Sequence, residues 1–353
     1  MPDQEKPLVS VQTLTYNQAP FIRQCIEGVL MQITNFPFEL VIGEDCSTDG
    51  TRAIVLEYAK KYPGIIRAIT SDSNVGVVKN ALRVKLACQG KYMASCEGDD
   101  YWIDPHKLQK QVDFLEAHPE YPGCFHPAFW LEQNMGKMQK ALFEPPVKQE
   151  DYTLDDLLEY TNFIPTASAI YRNHIVKERP AWIFQAPVGD FLLHVLALYT
   201  WGFERIGYID EPMSVYREHS GGIYSSKSPI QQLKISIQIY HLLGAKMNLE
   251  KRPAWHKGMA KIFVNLCREY HAQGARVQAL RAGYNAVYYS QRGSRSEVTR
   301  QVFALLAPPP KGLFIPIFAA FLILVDQGPL ALARVIFRKI SKSLWGHGAA
   351  IIW

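Results

Sequence analysis

Strand-like and helical stretches alternate through the first hundred residues, and this alternation limits the folds open to the chain more than any other feature. "PLVSVQTLTYN" is a β-branched run ending in a turn, and "PFIRQCIEGVLMQ" spaces Ile22, Ile26, Val29 and Leu30 as one helical face. "FELVIGED", "GIIRAITSD" and "KYMASCEGDD" predict three further strands. Between them lie helices over "STDGTRAIVLEYAKKYP", opened by Ser47 or Thr48, and "GVVKNALRVKLACQG", stopped by Gly90. Strands and helices at this spacing predict an α/β fold with a mostly parallel, Rossmann-like sheet flanked by helices.

Beyond Asp104, which is placed to cap the next helix, the reading continues with "PHKLQKQVDFLEAH" as a helix and "CFHPAFWLE" as an apolar run. Residues 132–150 read as a loop and "TASAIYR" as a strand. "GDFLLHVLALYTWG" is a helix with Asp190 near its start, and "FERIGYIDEPMSVYREHSGG" reads as a strand pair closing the domain. From about 229 the pattern is helical, with a hairpin turning near Gly274. The predicted organisation is a domain over 1–228 (halves 1–104 and 105–228), a C-terminal helical extension over 229–306, and a tail over 307–353.

In open α/β sheets ligands sit outside the carboxyl ends of the strands. Four such ends are polar here: Thr15-Tyr16-Asn17, Glu44 to Gly50, Asp72 to Gly76, and Glu97-Gly98-Asp99-Asp100. Neither G-x-G-x-x-G nor G-x-x-x-x-G-K-[ST] occurs, which disfavours a dinucleotide fold and a P-loop. Without a glycine cradle, a divalent cation between carboxylates and phosphate oxygens would neutralise a diphosphate, and it would explain three carboxylates within four positions.

"VSVQTLTYNQAPFIRQCIEGVLMQ", "ELVIGEDCSTDGT", "NVGVVKNA" and "GKYMASCEGDDYW", in this order, resemble the N-terminal half of a family 2 glycosyltransferase of GT-A fold, of the bacterial cell-surface polysaccharide type. The resemblance covers roughly residues 7–225. It implies an inverting, hexosyltransferase-type enzyme that moves a sugar from a nucleotide-diphosphate donor, UDP-linked in the family's commonest case, to a hydroxyl of a glycan or lipid-linked acceptor. Thr13, Tyr16, Asn17, Glu44, Asp45 and Asn74 would then line the nucleotide site. Glu97-Gly98-Asp99 stands where the family has D-x-D, with Glu97 replacing the usual first Asp. Asp99, Asp100 and His219 become the expected ligands of Mn2+ or Mg2+, and Arg217 a diphosphate contact.

The Gly-Asp before "FLLHVLALY" matches the family's general-base position, hence Asp190; its rival role is a plain helix cap. Trp102 has two readings, stacking on a sugar or closing the core edge. His126, His174 and His194 read as structural. Two other classes remain open at this point: a metal-dependent nucleotidyltransferase, and a non-catalytic nucleotide-sugar-binding or membrane scaffold protein.

Charge divides the chain. Residues 1–220 hold 20 basic against 29 acidic side chains, and residues 221–353 hold 18 against 4. The basic part contains "LFIPIFAAFLILV", about thirteen residues and interrupted by Pro316, where a membrane span needs ~20. Arg334, Arg338, Lys339, Lys342 and Trp345 follow. The expectation is a tail lying on an anionic membrane surface, with packing on the protein as its alternative. No nucleic-acid motif accompanies the basic charge. "MPDQEKPLVSV" opens polar, so no leader is expected, and six scattered cysteines without a C-x-x-C pair predict a reducing compartment. Together these predict a cytoplasmic protein, peripheral at the inner face of the membrane.

Overall fold

A computed structural model describes residues 6–140, 150–174, 180–186, 189–200, 202–290 and 295–306. The tail over 307–353, with its expected membrane contact, lies outside the described residues. The chain divides into two compact units, one ending at Gly258 and one beginning at Met259.

The first unit is built on an eight-stranded sheet. In chain order its strands are β1 (Val9–Thr15), β2 (Phe38–Glu44), β3 (Ile66–Ile69), β4 (Tyr92–Ser95), β6 (Gly123–Phe125), β9 (Asp151–Thr153), β10 (Ile170–Arg172) and β11 (Arg205–Tyr208). Their spatial order is β3-β2-β1-β4-β10-β6-β11-β9. The pairs β3–β2, β2–β1, β1–β4 and β6–β11 are parallel, while β10 and β9 run against their neighbours. This is the mixed α/β layer expected from the sequence.

Every residue of β1 is buried, because helices cover both faces of the central parallel strands. Val9, Val11, Ile22, Ile26, Val29, Leu40, Ile42 and Val55 form the middle of the core. Helix α1 (Ile22–Leu30) approaches closely through Gly28, where a Cβ would stand 2.9 Å from the Trp102 main-chain nitrogen. Trp102 itself is 1% exposed and donates to the Ala167 carbonyl, so it closes the core and is not available for stacking on a sugar.

A second sheet, in the order β5-β12-β7-β8, joins β5 (Tyr101–Trp102), β12 (Ser214–Glu218), β7 (Ala128–Glu132) and β8 (Lys137–Lys140). It corrects two expectations. Residues 128–140 form a hairpin turning at Gly136 (φ 61°), where the sequence predicts a loop from 132. The polar run of β8 gave no alternation to read. The predicted strand pair is also divided: β11 belongs to the large sheet and β12 to the small one.

Helix α2 (Thr51–Lys61) starts later than predicted. Gly50 at φ 100° precedes it, and Ser47 and Thr48 are engaged elsewhere. The remaining helices of this unit that bear on the site are α3 (Val77–Ala87), α4 (Lys107–Ala117), α5 (Leu154–Tyr160) and α6 (Asp190–Tyr199). Asp104 accepts from the His106 N–H at 2.7 Å just ahead of α4, as expected of a capping residue. Helices also fill the second unit, among them Arg276–Ser290 and Arg295–Leu306, which pack closely at Gly283. Gly274, at φ 69°, makes the turn ahead of the first.

Candidate active site

Main-chain bonds gather three strand ends. The Asp45 N–H donates to the Thr15 carbonyl at 3.1 Å on one side of β1, and the Gly98 N–H donates to the Leu14 carbonyl at 3.0 Å on the other. Residues 44–49 and 97–100 therefore flank the carboxyl end of β1. Asp45 and Asp99 share one edge of the sheet.

On the β2 side the polar residues build the walls. Asn17, at φ 52°, donates its N–H to Ser47 Oγ (2.9 Å) and accepts from the Thr48 N–H through Oδ1 (2.9 Å). Glu44 is fully buried; its Oε1 accepts from the Ser47 N–H at 2.6 Å, and Oε2 lies 3.6 Å from Arg52 Nε. The Asp45 carboxylate accepts from the Val75 and Gly76 N–H groups at 2.8 and 2.9 Å. Asn74 Oδ1 also accepts from the Gly76 N–H. Tyr16 is exposed beside them.

Thr13 departs from expectation. It is 0% exposed, with its hydroxyl 3.9 Å from Cys25 Sγ, so the strand directs it into the core and not to the edge. Thr15, two residues on, holds the position instead. Its Oγ1 is buried without a hydrogen bond, as is Gln18 Oε1, and both lie against Gly98.

On the β4 side, the Asp100 N–H donates to the Glu97 carbonyl at 3.0 Å, closing a tight turn. Burial and the neighbouring charges of Asp99 and Asp190 push the Glu97 carboxyl up to about 8. Asp99 Oδ2 lies 3.0 Å from His219 Nε2, so residues 120 positions apart meet here. The His219 Nδ1 accepts from the Gly221 N–H, which leaves Nε2 as the nitrogen that carries the proton to Asp99.

One expected contact is corrected, and another meets partners within the protein. Asp100 is 3% exposed and its Oδ1 accepts from the Arg217 main-chain N–H at 2.9 Å, so the turn aims it inward, away from Asp99. Burial, with Asp99 and Glu97 nearby, holds its carboxyl well above the usual range. Arg217 is 6% exposed; it donates to the Asp99 carbonyl, Gln133 and Gln24, between the rings of Phe21 and Tyr101. Three of its five N–H donors are thus taken by the acidic turn and by side chains of Gln133 and Gln24.

Asp190 arrives from the far side of the unit as the first residue of α6. Its Oδ2 accepts from Asn162 Nδ2 at 2.8 Å, and Oδ1 accepts from the Phe191 N–H. Its charge contributes to raising Glu97, Tyr216 and Tyr224. Sequence reasoning missed Asn162, since no motif marks it.

Residues 10–178 match the family described as glycosyl transferase family 2. An uncharacterized protein of Mycobacterium tuberculosis is 41% identical over 219 residues, 62% of this chain and 61% of that protein. TuaG of Bacillus subtilis, named as a teichuronic acid biosynthesis glycosyltransferase, is 37% identical over 156 residues, 44% of this chain and 59% of its own length. The chain thus spans about three fifths of the length of these curated relatives. Among solved structures, S. aureus TarS residues 1–349 align with a TM-score of 0.55 at 16% identity, over 96% of this chain and 93% of that one. The mannosyltransferase PcManGT of Pyrobaculum calidifontis aligns at 0.52 and 15%, over 98% and 89%. At these identities the structures speak for the fold, a GT-A fold, and the sequence of residues 10–178 matches glycosyl transferase family 2.

Proposed function

We propose that this protein is an inverting glycosyltransferase that moves a sugar from a nucleotide-diphosphate donor to a hydroxyl of a glycan or lipid-linked acceptor. The observation that supports this reading is the meeting of Asp99 and His219, 3.0 Å apart across 120 positions, at the acidic turn after β4, where the charge of Asp190 acts on Glu97. Asn17, Glu44, Asp45 and Asn74 would hold the nucleoside. UDP is the leading choice of nucleotide: a TarS structure contains UDP-GlcNAc, although the PcManGT structure contains GDP-Man and Mn2+.

Asp99 Oδ2 and His219 Nε2 fit a cation. They stand 3.0 Å apart, a separation two ligands of one ion can share, and Nε2 becomes a ligand once its proton leaves. Among the described residues no three His, Cys, Asp or Glu side chains form a complete metal cage. That pattern suits Mg2+ or Mn2+, which is held by one or two protein groups and completes its shell with phosphate oxygens and water. A cation bound there would neutralise the departing diphosphate.

Asp190 would take the acceptor proton. Its carboxylate is oriented by Asn162 and favoured by the α6 N-terminus. A single base with no protein nucleophile gives one displacement, hence inversion, and such base catalysis is worth about 10²–10⁴-fold. The basic, apolar tail would bring the enzyme to the cytoplasmic face of the membrane, where lipid-linked acceptors of envelope polysaccharide synthesis are presented. Among the described residues, no helix is long and apolar enough to cross a membrane.

The test is turnover of UDP- and GDP-sugars by the full chain with Mn2+. Nucleoside diphosphate release that stops on chelation and resumes with added Mn2+ supports the reading. Binding of every donor without turnover would favour a scaffold, and pyrophosphate release from a nucleoside triphosphate would favour a nucleotidyltransferase.

A further inference from the structure

The small sheet has two faces. Along β12, Val215 and Arg217 are buried, whereas Tyr216 and Glu218 point the other way and are half-buried. The register pairs Tyr216 with Trp130 and Glu218 with Glu132 of β7. The Trp130 and Tyr216 rings stand 4.5 Å apart, tilted by 49°, and form an open corner. The Trp130 indole N–H donates to Glu218 Oε2 at 2.8 Å, which fixes the ring.

A cross-strand aromatic pair needs only contact to stabilise a sheet. This pair has more. The Tyr216 hydroxyl has no hydrogen-bond partner among the described residues, yet it lies within the field of Asp99, Asp100 and Asp190. Tyr224, on the segment that follows His219, feels Asp190 as well. Geometry ties the corner to the acidic turn: Arg217, next to Tyr216, donates to the Asp99 carbonyl, and His219, three residues on, meets the Asp99 carboxylate.

We propose that Trp130 and Tyr216 form the acceptor subsite, which takes a pyranose ring by its C–H face and turns one hydroxyl toward Asp190. This rests on the glycosyltransferase reading above. A sugar chair has an apolar C–H face that lies against an aromatic ring. The Tyr216 hydroxyl, held protonated by burial and the surrounding carboxylates, serves as a donor to a ring or hydroxyl oxygen of the sugar. Asp99 and His219 belong to the diphosphate side, so the corner separates acceptor from donor.

The experiment uses saturation-transfer NMR on the full chain with the methyl pyranosides of glucose, galactose, mannose and N-acetylglucosamine, and UDP and GDP as separate probes. The wild type should saturate the C–H protons on one face of at least one methyl pyranoside. Trp130→Phe should retain that binding, and Trp130→Ala should weaken it about tenfold. Trp130→Leu keeps the bulk on the strand and should show the same loss should the alanine variant misfold. Nucleotide binding within twofold of wild type reads the integrity of the fold. The subsite is overturned if the wild type binds nucleotide but no pyranoside, or if the leucine variant binds pyranosides as well as wild type. Absence of nucleotide binding by the wild type would instead overturn the glycosyltransferase reading, and the subsite with it.

Discussion

Arg217 Nε donates to the main-chain carbonyl of Asp99 at 2.7 Å, and the Arg217 N–H donates to the Asp100 carboxylate at 2.9 Å. One residue of β12 thus fixes the acidic turn after β4 through two bonds, while its guanidinium packs between Phe21 and Tyr101. A lysine keeps the charge and loses the planar fork. Arg217→Lys should cost about 2 kcal/mol of stability, as expected for bonds made by a charged group. It should also raise the Mn2+ concentration for half-maximal turnover severalfold, because Asp99 loses its anchor. Manganese titration beside thermal melts checks this; a lowered melting point with an unchanged Mn2+ midpoint would confine Arg217 to structure.

Gly98 is required by space. A Cβ there would stand 2.9 Å from Thr15 Cβ and closer still to the Gln18 amide oxygen. Gln18 can swing aside, but Thr15 Cβ is held by the strand. Gly98→Ala should displace Glu97 and Asp99, cost about 1–3 kcal/mol, and reduce turnover. Adding Gln18→Ala should not restore it, since the Thr15 contact persists. Recovery in the double variant, measured as initial rate, would show that the strand gives way.

These particulars show what was legible in the sequence. The parallel strands β1, β2 and β4 were readable because burial on both faces demands continuous apolar runs, and their polar ends located the site. Asp100 was misread because a turn sends adjacent side chains in different directions, which spacing alone does not reveal. Arg217 was read as a phosphate contact from its neighbours in sequence; its actual partners, Gln24 and Gln133, come from remote segments. Thr13 and Thr15 differ only in how far the strand runs before the edge. Trp130 and Tyr216 meet through a parallel pairing across 86 positions, and only Tyr216 belongs to a motif, the Tyr-Arg-x-His segment at 216–219.

Asp45 fixes the turn before α3. Both its oxygens accept main-chain N–H groups, of Val75 and Gly76. Asparagine offers one acceptor where aspartate offers two, so Asp45→Asn should lose one charge-assisted bond, about 1–2 kcal/mol. Donor KM should rise with kcat little changed, as expected for a residue that shapes the nucleoside wall. Steady-state kinetics separates this from a fall in kcat at constant KM, which would tie Asp45 to the chemical step.

Lys107 is buried beneath the Trp102 ring, its Nζ 4.0 Å from the ring centroid, and donates to Gln111 Oε1. Burial lowers its pKa from 10.5 to about 7. Between those values the unfolded chain binds a proton that the folded chain does not, so the contribution of Lys107 to stability rises as pH rises from 7 to 10.5 and falls as pH drops toward 7. Lys107→Met lacks this dependence. The stability of wild type minus that of the variant should therefore grow between pH 7 and 10, by a few kcal/mol at most. Burial also raises Cys96 and Cys124 in both proteins, and in the wild type the Lys107 charge acts against that rise. Urea melts across this range provide the check, and a flat difference would mean that Lys107 stays charged when folded.

Asp190 separates catalysis from capping. At the start of α6 its carboxylate accepts from the Phe191 N–H, as a structural residue would, and from Asn162 Nδ2, which a cap does not need. Asparagine is as good a capping residue as aspartate, so Asp190→Asn should leave the unfolding free energy within about 1 kcal/mol of wild type. It removes the proton acceptor, so transfer should fall by about 10²–10⁴-fold while nucleotide affinity is kept. Asn162→Ala should produce a smaller loss in the same direction, because the carboxylate remains but its orientation does not. A stable Asp190→Asn protein with wild-type transfer would remove Asp190 from the mechanism.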